Sequence, residues 1–317
     1  MVARLALVLL VKLVAAPTLP AQQPAFIPQP RSQLPERIVT RDTRVVMLGT
    51  GTPNADPDRS GPAVAIVVND AAYLVDAGPG VVRRAAAAEK EGVGALAPKR
   101  LRIVFVTHLH SDHTLGLPDL MLSPWTLERT EPIEIYGPKG IRSMASKILD
   151  AWQEDIELRL TGGEPSNKTG WRANAHEIDA GVVYQDSNVK VTAFRVPHGK
   201  WPEALGYRFE TRDRVIVVSG DTRKSEEIVR QCQGCDILVH EVYSTAGFQR
   251  RPPEWQQYHS WYHTSSAELA DVASRAKPGV LVLYHQLYWG TSDADLVTEV
   301  TSQYGGRVVS AKDLDIF

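Results

Sequence analysis

The chain has 317 residues, 43% of them hydrophobic and 23% charged, with a net charge of −2. This is ordinary globular composition with ample length for a buried core. The near-neutral balance, with both signs interspersed, excludes a global basic field for nucleic acid, and no internal repeat recurs at a fixed period.

The N-terminus differs from the rest. Met1-Val-Ala-Arg4 carries one positive charge, Leu5 to Val14 is apolar apart from Lys12, and Ala15-Ala16-Pro17 opens a Pro/Gln-rich stretch through Pro35. The pattern resembles a secretory signal peptide, and the apolar run is too short for a bilayer crossing, which takes about 20 residues. Residues 1–21 are therefore read as a signal peptide, 22–37 as a disordered linker and 38–317 as the folded domain. The expected location is periplasmic or secreted, with no membrane span; the competing reading is a tail with no targeting role.

From residue 38 onward, short β-branched runs alternate with turns. Strands are expected at 44–48, 63–68, 72–75, 102–106, 132–136, 189–194, 205–209, 215–218, 237–239 and 280–283, each bounded by Gly, Pro, Asp or Asn. Helices are expected at 80–91, 140–152, 225–231, 265–276 and 293–304. Several strands follow one another directly. That favours layered sheets with helices outside over a doubly wound parallel sheet. The segment Glu154 to Asn188, low in apolar residues, reads as an insertion or long loop. The two cysteines, Cys232 and Cys235, allow a redox pair, half a zinc site, a local disulfide or two small residues at a turn. One pair cannot supply four zinc ligands, and no chemistry is assigned to it.

Polar residues collect after these strands. Val106-Thr-His108-Leu-His110-Ser-Asp112-His113 puts three of the chain's nine histidines within six positions. His198, Asp221, His240, Glu241 and His285 follow later strands. Rigid sheets position strand-end loops for chemistry, and imidazole nitrogen with carboxylate oxygen is the ligand set for zinc and similar ions. On an extended segment His108 and His110 point the same way. Asp112 and His113 can face a second ion, His198 and His285 complete the two spheres, and Asp221 can bridge them. Sheet packing alone gives no reason for so dense a polar cluster, although an adventitious surface cluster would look similar. His176 and His259 are read as ordinary satisfied side chains.

The run Thr107-His-Leu-His-Ser-Asp-His113 resembles the H-x-H-x-D-H signature of the metallo-β-lactamase superfamily. Leu48-Gly-Thr-Gly-Thr-Pro53 and Leu74-Val-Asp-Ala-Gly78 resemble its early motifs. The resemblance implies an α/β fold, the four-layer αββα metallo-β-lactamase sandwich, with a dinuclear site at one edge. One ion would take His108, His110, His198 and Asp221; the other would take Asp112, His113, Asp221 and His285. Gly206-Tyr-Arg208 after His198, Leu238-Val-His-Glu241 and His263-Thr-Ser-Ser-Ala-Glu268 further resemble ribonuclease Z. By that likeness His263 faces the scissile phosphate and Glu241 orients it, so that an imidazole stabilises developing charge or protonates the leaving oxygen. The competing reading of His263 is a helix-end residue bonded locally.

The likeness has a gap. Short-type ribonuclease Z carries a tRNA-gripping arm between the lone ligand histidine and the bridging aspartate, and only residues 199 to 220 separate His198 from Asp221 here. The expected protein is a dinuclear metal-dependent hydrolase that uses a hydroxide held between its ions. Its first-choice substrate is a small-molecule or short phosphodiester, not tRNA. Asp112, His263 and Glu241 are the catalytic candidates. The cofactors are two divalent ions, zinc first, with Mn²⁺ or Fe²⁺ as alternatives. Arylsulfate, lactone or β-lactam hydrolysis is the runner-up, and a non-catalytic exported metal-binding protein the third class. The aromatic stretch 247–262, with Phe248, Trp255, Tyr258, Trp261 and Tyr262, could wall a substrate, pack on its own domain or form a homodimer contact. Arg250 and Arg251 could meet an anion or stay solvated.

Overall fold

The computed structural model describes residues 43–317; the expected signal peptide and linker, and residues 38–42 of the expected domain, lie outside them. Two sheets are present. The first holds β1 (Arg44–Gly49), β2 (Ala63–Val68), β3 (Ala71–Val75), β4 (Ile103–Phe105), β5 (Ile133–Gly137) and β6 (Ala173–Glu177), in that spatial order. The second holds β7 (Gly181–Gln185), β8 (Lys190–Val196), β9 (Ala204–Glu210), β10 (Val215–Val218), β11 (Ile237–Tyr243), β12 (Val280–Leu287) and β13 (Val308–Ser310), again as consecutive neighbours. β1 to β3 and β7 to β10 form antiparallel meanders, and the remaining pairs are parallel.

Period-two alternation sorts the side chains into layers. Val45, Met47, Ile66, Val75 and Phe105 of the first sheet meet Tyr207, Phe209, Ile216, Val239 and Val282 of the second in a shared central core. The opposite faces are capped separately. Val46, Leu48, Leu74 and Val104 pack under the helices Val81–Lys90, Leu117–Thr126 and Ile141–Ala151. Val217, Leu238, Leu281 and Leu283 pack under the helices Glu226–Cys232, Ser266–Ala276 and Asp293–Thr301. The result is the expected αββα order, helix, sheet, sheet, helix. The expected helices all form. Ser265 and Glu268 cap Ser266–Ala276 reciprocally, two orphan N–H groups being satisfied by one sequence motif.

One expectation needs correction, and further helices form where none was expected. Residues 154–188 are not an insertion: they supply most of the helix Gln153–Thr161 and both β6 and β7. These are edge strands in which no side chain is fully buried, so the apolar run that marks a buried strand is missing. The aromatic stretch 247–262, where no element was expected, is mostly helical, in Thr245–Gln249 and Pro253–Tyr262. The helix Leu117–Thr126 escapes sequence reading because Pro124 lies inside it. Proline there removes the bond to the carbonyl four residues back. That carbonyl, Leu120 O, instead accepts from Nη1 of the fully buried Arg129 at 2.8 Å. The same guanidinium also donates to the carbonyls of Leu101, Met121 and Gly170.

Cys232 and Cys235 are joined in a disulfide, one of the arrangements their spacing allowed. The pair packs in the outer core of the second sheet. Among the described residues no helix is long and apolar enough to cross a membrane.

Candidate metal centre

Both sheets deliver residues to one edge. Asp76 follows β3, Thr107 and His108 follow β4, His198 follows β8 and Asp221 follows β10, each within three residues of the strand end. The turn from β4 runs through His110 into the short helix Ser111–Thr114, which carries Asp112 and His113. Two glycines shape the second-sheet loops. Gly199, at φ +55°, packs so tightly that an added Cβ would lie 2.1 Å from the Tyr262 ring. Gly220, at φ +61°, has no room for a Cβ against the Leu205 carbonyl, 2.7 Å away. Both positions demand a left-handed backbone in a closed space, which glycine alone meets cheaply.

His285 is delivered differently. It lies inside β12, not after it, and it is the residue skipped when the β11–β12 register shifts past Glu241 and Tyr284. Its φ is +47°. A bulge of this kind re-aims one side chain out of the ladder. His240 and Glu241 likewise lie within β11, not beyond its end.

The structure brings together all seven expected ligands. His108 Nε2 and His198 Nε2 stand 2.9 and 3.2 Å from His110 Nδ1. His113 Nε2 lies 3.4 Å from both Asp112 Oδ2 and Asp221 Oδ1. His285 Nε2 lies 3.2 Å from Asp112 Oδ2 and 3.5 Å from Asp221 Oδ2. His108, His110, His198 and Asp221 form one group of mutually close donor atoms, and Asp112, His113 and His285 form another, all within 4.8 Å of one another in each group. A third grouping, Asp221 with His263 and His285, meets the same test.

The distal ring nitrogens show which atoms are free to bind. His113 Nδ1 donates to Asp76 Oδ2 at 2.7 Å, and His198 Nδ1 donates to the Tyr262 carbonyl at 2.7 Å. Thr107 gives its hydroxyl proton to Asp76 and accepts from His108 Nδ1 at 3.0 Å. Each contact leaves a lone pair on Nε2 facing the centre, the second-sphere arrangement that orients a ligating imidazole. His113 Nε2 and Asp221 Oδ1 are buried with no hydrogen-bond partner. Orphans of this kind are costly without a cation between them, so the donor set fits zinc-like ions.

The charges agree. Burial drives His108 well below the usual imidazole range and takes His198 down to about 3. Burial also opposes protonation of His113, but Asp221, Asp76 and Asp112 outweigh it and raise that ring. Asp221 would be raised by burial, yet His285 and His113 hold it well below the carboxylate range. The cluster is thus organised around positive charge among its carboxylates.

His263 lines the cleft above this floor, its Nδ1 3.5 Å from Glu241 Oε2 and 3.9 Å from Asp221 Oδ2. Glu241 is fully buried. Its Oε1 accepts from the backbone N–H groups of Thr222 and Thr264, while Oε2 has no partner. Burial, then Asp221, raises its pKa well above the usual value, and burial lowers His263 to about 4.

Sequence reading gave no role to Asp76 or Trp201. Asp76, at φ +62°, anchors both Thr107 and His113; its place in Leu74–Gly78 was the available signal. Trp201 Nε1 donates to His110 Nε2 at 2.6 Å, and nothing in its local sequence marks it. His176 is satisfied by Glu134 Oε2 at 2.7 Å, as expected. His259 is not satisfied: it is buried, lines the cleft, and its Nδ1 lacks a partner. Of the aromatic stretch, Phe248 stacks on Tyr243 and Tyr262 on Tyr258, whereas Trp255 and Tyr258 line the cleft.

Comparison with known proteins agrees with this geometry. A family model described as "Beta-lactamase superfamily domain" matches residues 72–286. A ribonuclease Z of Mycobacterium bovis is 33% identical over 244 residues, covering 76% of this chain and 85% of that protein. The metallo-β-lactamase fold protein YhfI from Bacillus subtilis superposes with a TM-score of 0.67 at 16% identity, covering 87% of this chain and 99% of that one. The short form of human tRNase Z gives 0.66 at 22% identity, covering 86% and 98%.

Proposed function

Because this chain belongs to the metallo-β-lactamase superfamily, among its ribonuclease Z-like members, and is a metal-dependent hydrolase of phosphodiesterase type, we propose that it cleaves small phosphodiesters at a dinuclear centre. The observation that carries this reading is the position of Asp221 between two donor groups. His108, His110 and His198 with Asp221 would hold one ion, and Asp112, His113 and His285 with Asp221 the other. Divalent ions bound there would supply Lewis acidity and lower the pKa of a bound water toward about 7.

The chain's own residues do the rest. Asp76 fixes the tautomer of His113, and the Tyr262 carbonyl fixes that of His198. Asp112 accepts a hydrogen bond from the attacking water and aligns it. Glu241 Oε2 and His263 Nδ1, both without other partners, share a proton, which sets the ring to donate to the leaving oxygen. His263 is read as a proton donor and not as a ligand because it faces Glu241. A non-tRNA substrate is supported by residues 199–220, which hold only β9, β10 and their turns. An extracytoplasmic location is supported by the leader pattern and the Cys232–Cys235 pair.

The test is reconstitution. Protein stripped by a chelator and reloaded with Zn²⁺ or Mn²⁺ is expected to bind two ions per chain and to cleave bis-p-nitrophenyl phosphate, but not p-nitrophenyl sulfate, a lactone or nitrocefin. Ions at about 100 times their Kd stabilise by about 2.7 kcal/mol per site, so stripping lowers Tm by roughly 5–10 °C per site. One ion per chain, or turnover confined to the other substrates, removes the reading.

A second outcome follows from Trp201. An indole N–H only donates, so in this contact His110 Nε2 is unprotonated and its proton sits on Nδ1, toward His108 and His198. Ligation through Nδ1 moves that proton to Nε2, where it would meet the indole N–H head-on. Loading is therefore expected to displace Trp201 and to change tryptophan emission, and Trp201→Phe is expected to lose most of that change. A metal titration that leaves the emission of the original protein flat would show that His110 does not ligate through Nδ1.

A further inference from the structure

We propose, resting on the phosphodiesterase reading, that the cleft over the metal centre selects esters whose non-leaving side carries a planar aromatic ring and a second negative charge. The cleft encloses about 460 Å³, within the range of small-molecule sites. Its floor is the metal centre and the flanking His263; one wall is formed by Arg251, Trp255, Tyr258, His259 and Trp289. That wall has two chemistries.

The first is aromatic. Trp255 is 45% exposed, although it stacks on His259 at 24° and meets Tyr258 edge-on at 84°. His259 and Arg251 lie against the indole and fix its plane, and the rest of its surface is left to the cleft and solvent. A large aromatic side chain held this way beside a reaction centre is a stacking platform for a base or aryl ring. The packed aromatics of the same stretch, Phe248 and Tyr262, are already spent on their own domain.

The second is cationic. The Arg251 guanidinium lies 5.3 Å from the Trp255 ring centre and 5.5 Å from that of Trp289. His259, 4.4 Å from Trp289 and 5.7 Å from Trp255, contacts both indoles. No carboxylate among the described residues pairs with Arg251, and its Nε is buried without a partner. Two indoles orient the cation through their faces and leave its fork of donors uncommitted. The scissile phosphate is answered by the metal floor, so Arg251 is placed for a different anion. A nucleoside diester with a further phosphate, or an aryl diester with a further carboxylate, has both features.

Three substrates with one leaving group test this: methyl p-nitrophenyl phosphate, thymidine 5′-(p-nitrophenyl phosphate) and its 3′-phosphorylated form. In the metal-loaded protein kcat/KM is expected to rise about tenfold from the first to the second, and about tenfold again to the third, mainly through KM. Trp255→Ala collapses the first ratio and Trp255→Tyr keeps it. Arg251→Gln collapses the second ratio, and melting curves confirm that each variant is folded. Equal kcat/KM on all three esters overturns the pocket while leaving the phosphodiesterase reading intact. Ratios unmoved by either variant overturn it too. Cleavage of none of the three overturns both, and replacing the thymine ring by benzyl decides between nucleoside and aryl esters.

Discussion

Asp221→Ala is expected to lower kcat/KM by roughly 10³–10⁴-fold, because Lewis-acid stabilisation worth several kcal/mol is lost with the shared ligand. The side chain is 2% exposed and stands within 3.4 Å of His113 and 3.5 Å of His285. Among the described residues it is the one carboxylate that belongs to two of the donor groups, with His108, His110 and His198 in one and with His263 and His285 in the other. The variant is expected to retain at most one ion per chain. Asp221→Asn keeps the shape but offers a single acceptor oxygen and no charge, so it should fall between the two. The sign of the stability change depends on metal. Loaded, the variant loses linkage and melts lower. Stripped, it loses the carboxylate that most strongly raises His113. That contribution exists at pH below the unfolded imidazole value and fades as pH rises through the raised folded one. The apo-protein penalty is therefore larger in mildly acidic buffer than in alkaline buffer. Two ions per chain with undiminished turnover in Asp221→Ala would end the bridging role.

His263→Ala is the second large effect, and its signature is selectivity for the leaving group. A general acid contributes about 10²–10⁴-fold when the departing oxygen is a poor leaving group. p-Nitrophenolate leaves with little help. The variant should lose most of its activity on a diester with an alkoxide leaving group and much less on bis-p-nitrophenyl phosphate, with the metal content unchanged. Glu241→Gln should show the same bias in weaker form, since Glu241 acts through His263. A merely structural role would lower both substrates equally. Loss of an ion from His263→Ala would instead place the residue among the ligands, as its grouping with Asp221 and His285 allows.

The centre was legible because its chemistry is local. His108, His110, Asp112 and His113 fall in six consecutive positions, and His198, Asp221 and His285 each follow an apolar run. What was missed depends on contacts between distant segments. Trp201 matters only because the fold lays it on His110, 91 positions away. β6 and β7 are edge strands whose order comes from one partner each, so their sequences carry no burial signal. The helix Leu117–Thr126 tolerates an interior proline because Arg129 answers the freed carbonyl, a long-range compensation invisible to a local rule. His285 reads as a residue beyond a strand because a bulge looks like an ending in one dimension. Of the aromatic stretch before His263, Trp255 and Tyr258 line the cleft, Phe248 and Tyr262 pack on their own domain, and Trp261 stays exposed, a division set by tertiary contacts that the local sequence does not encode.

The centre straddles the seam between the sheets. His108, His110, Asp112 and His113 come from the first, and His198, Asp221 and His285 from the second. On the dinuclear reading each ion is a rivet through both halves of the sandwich. The donor set also floors the open cleft, so an ion can leave by that route without the sheets parting, and its loss removes a tie between the two halves at this edge.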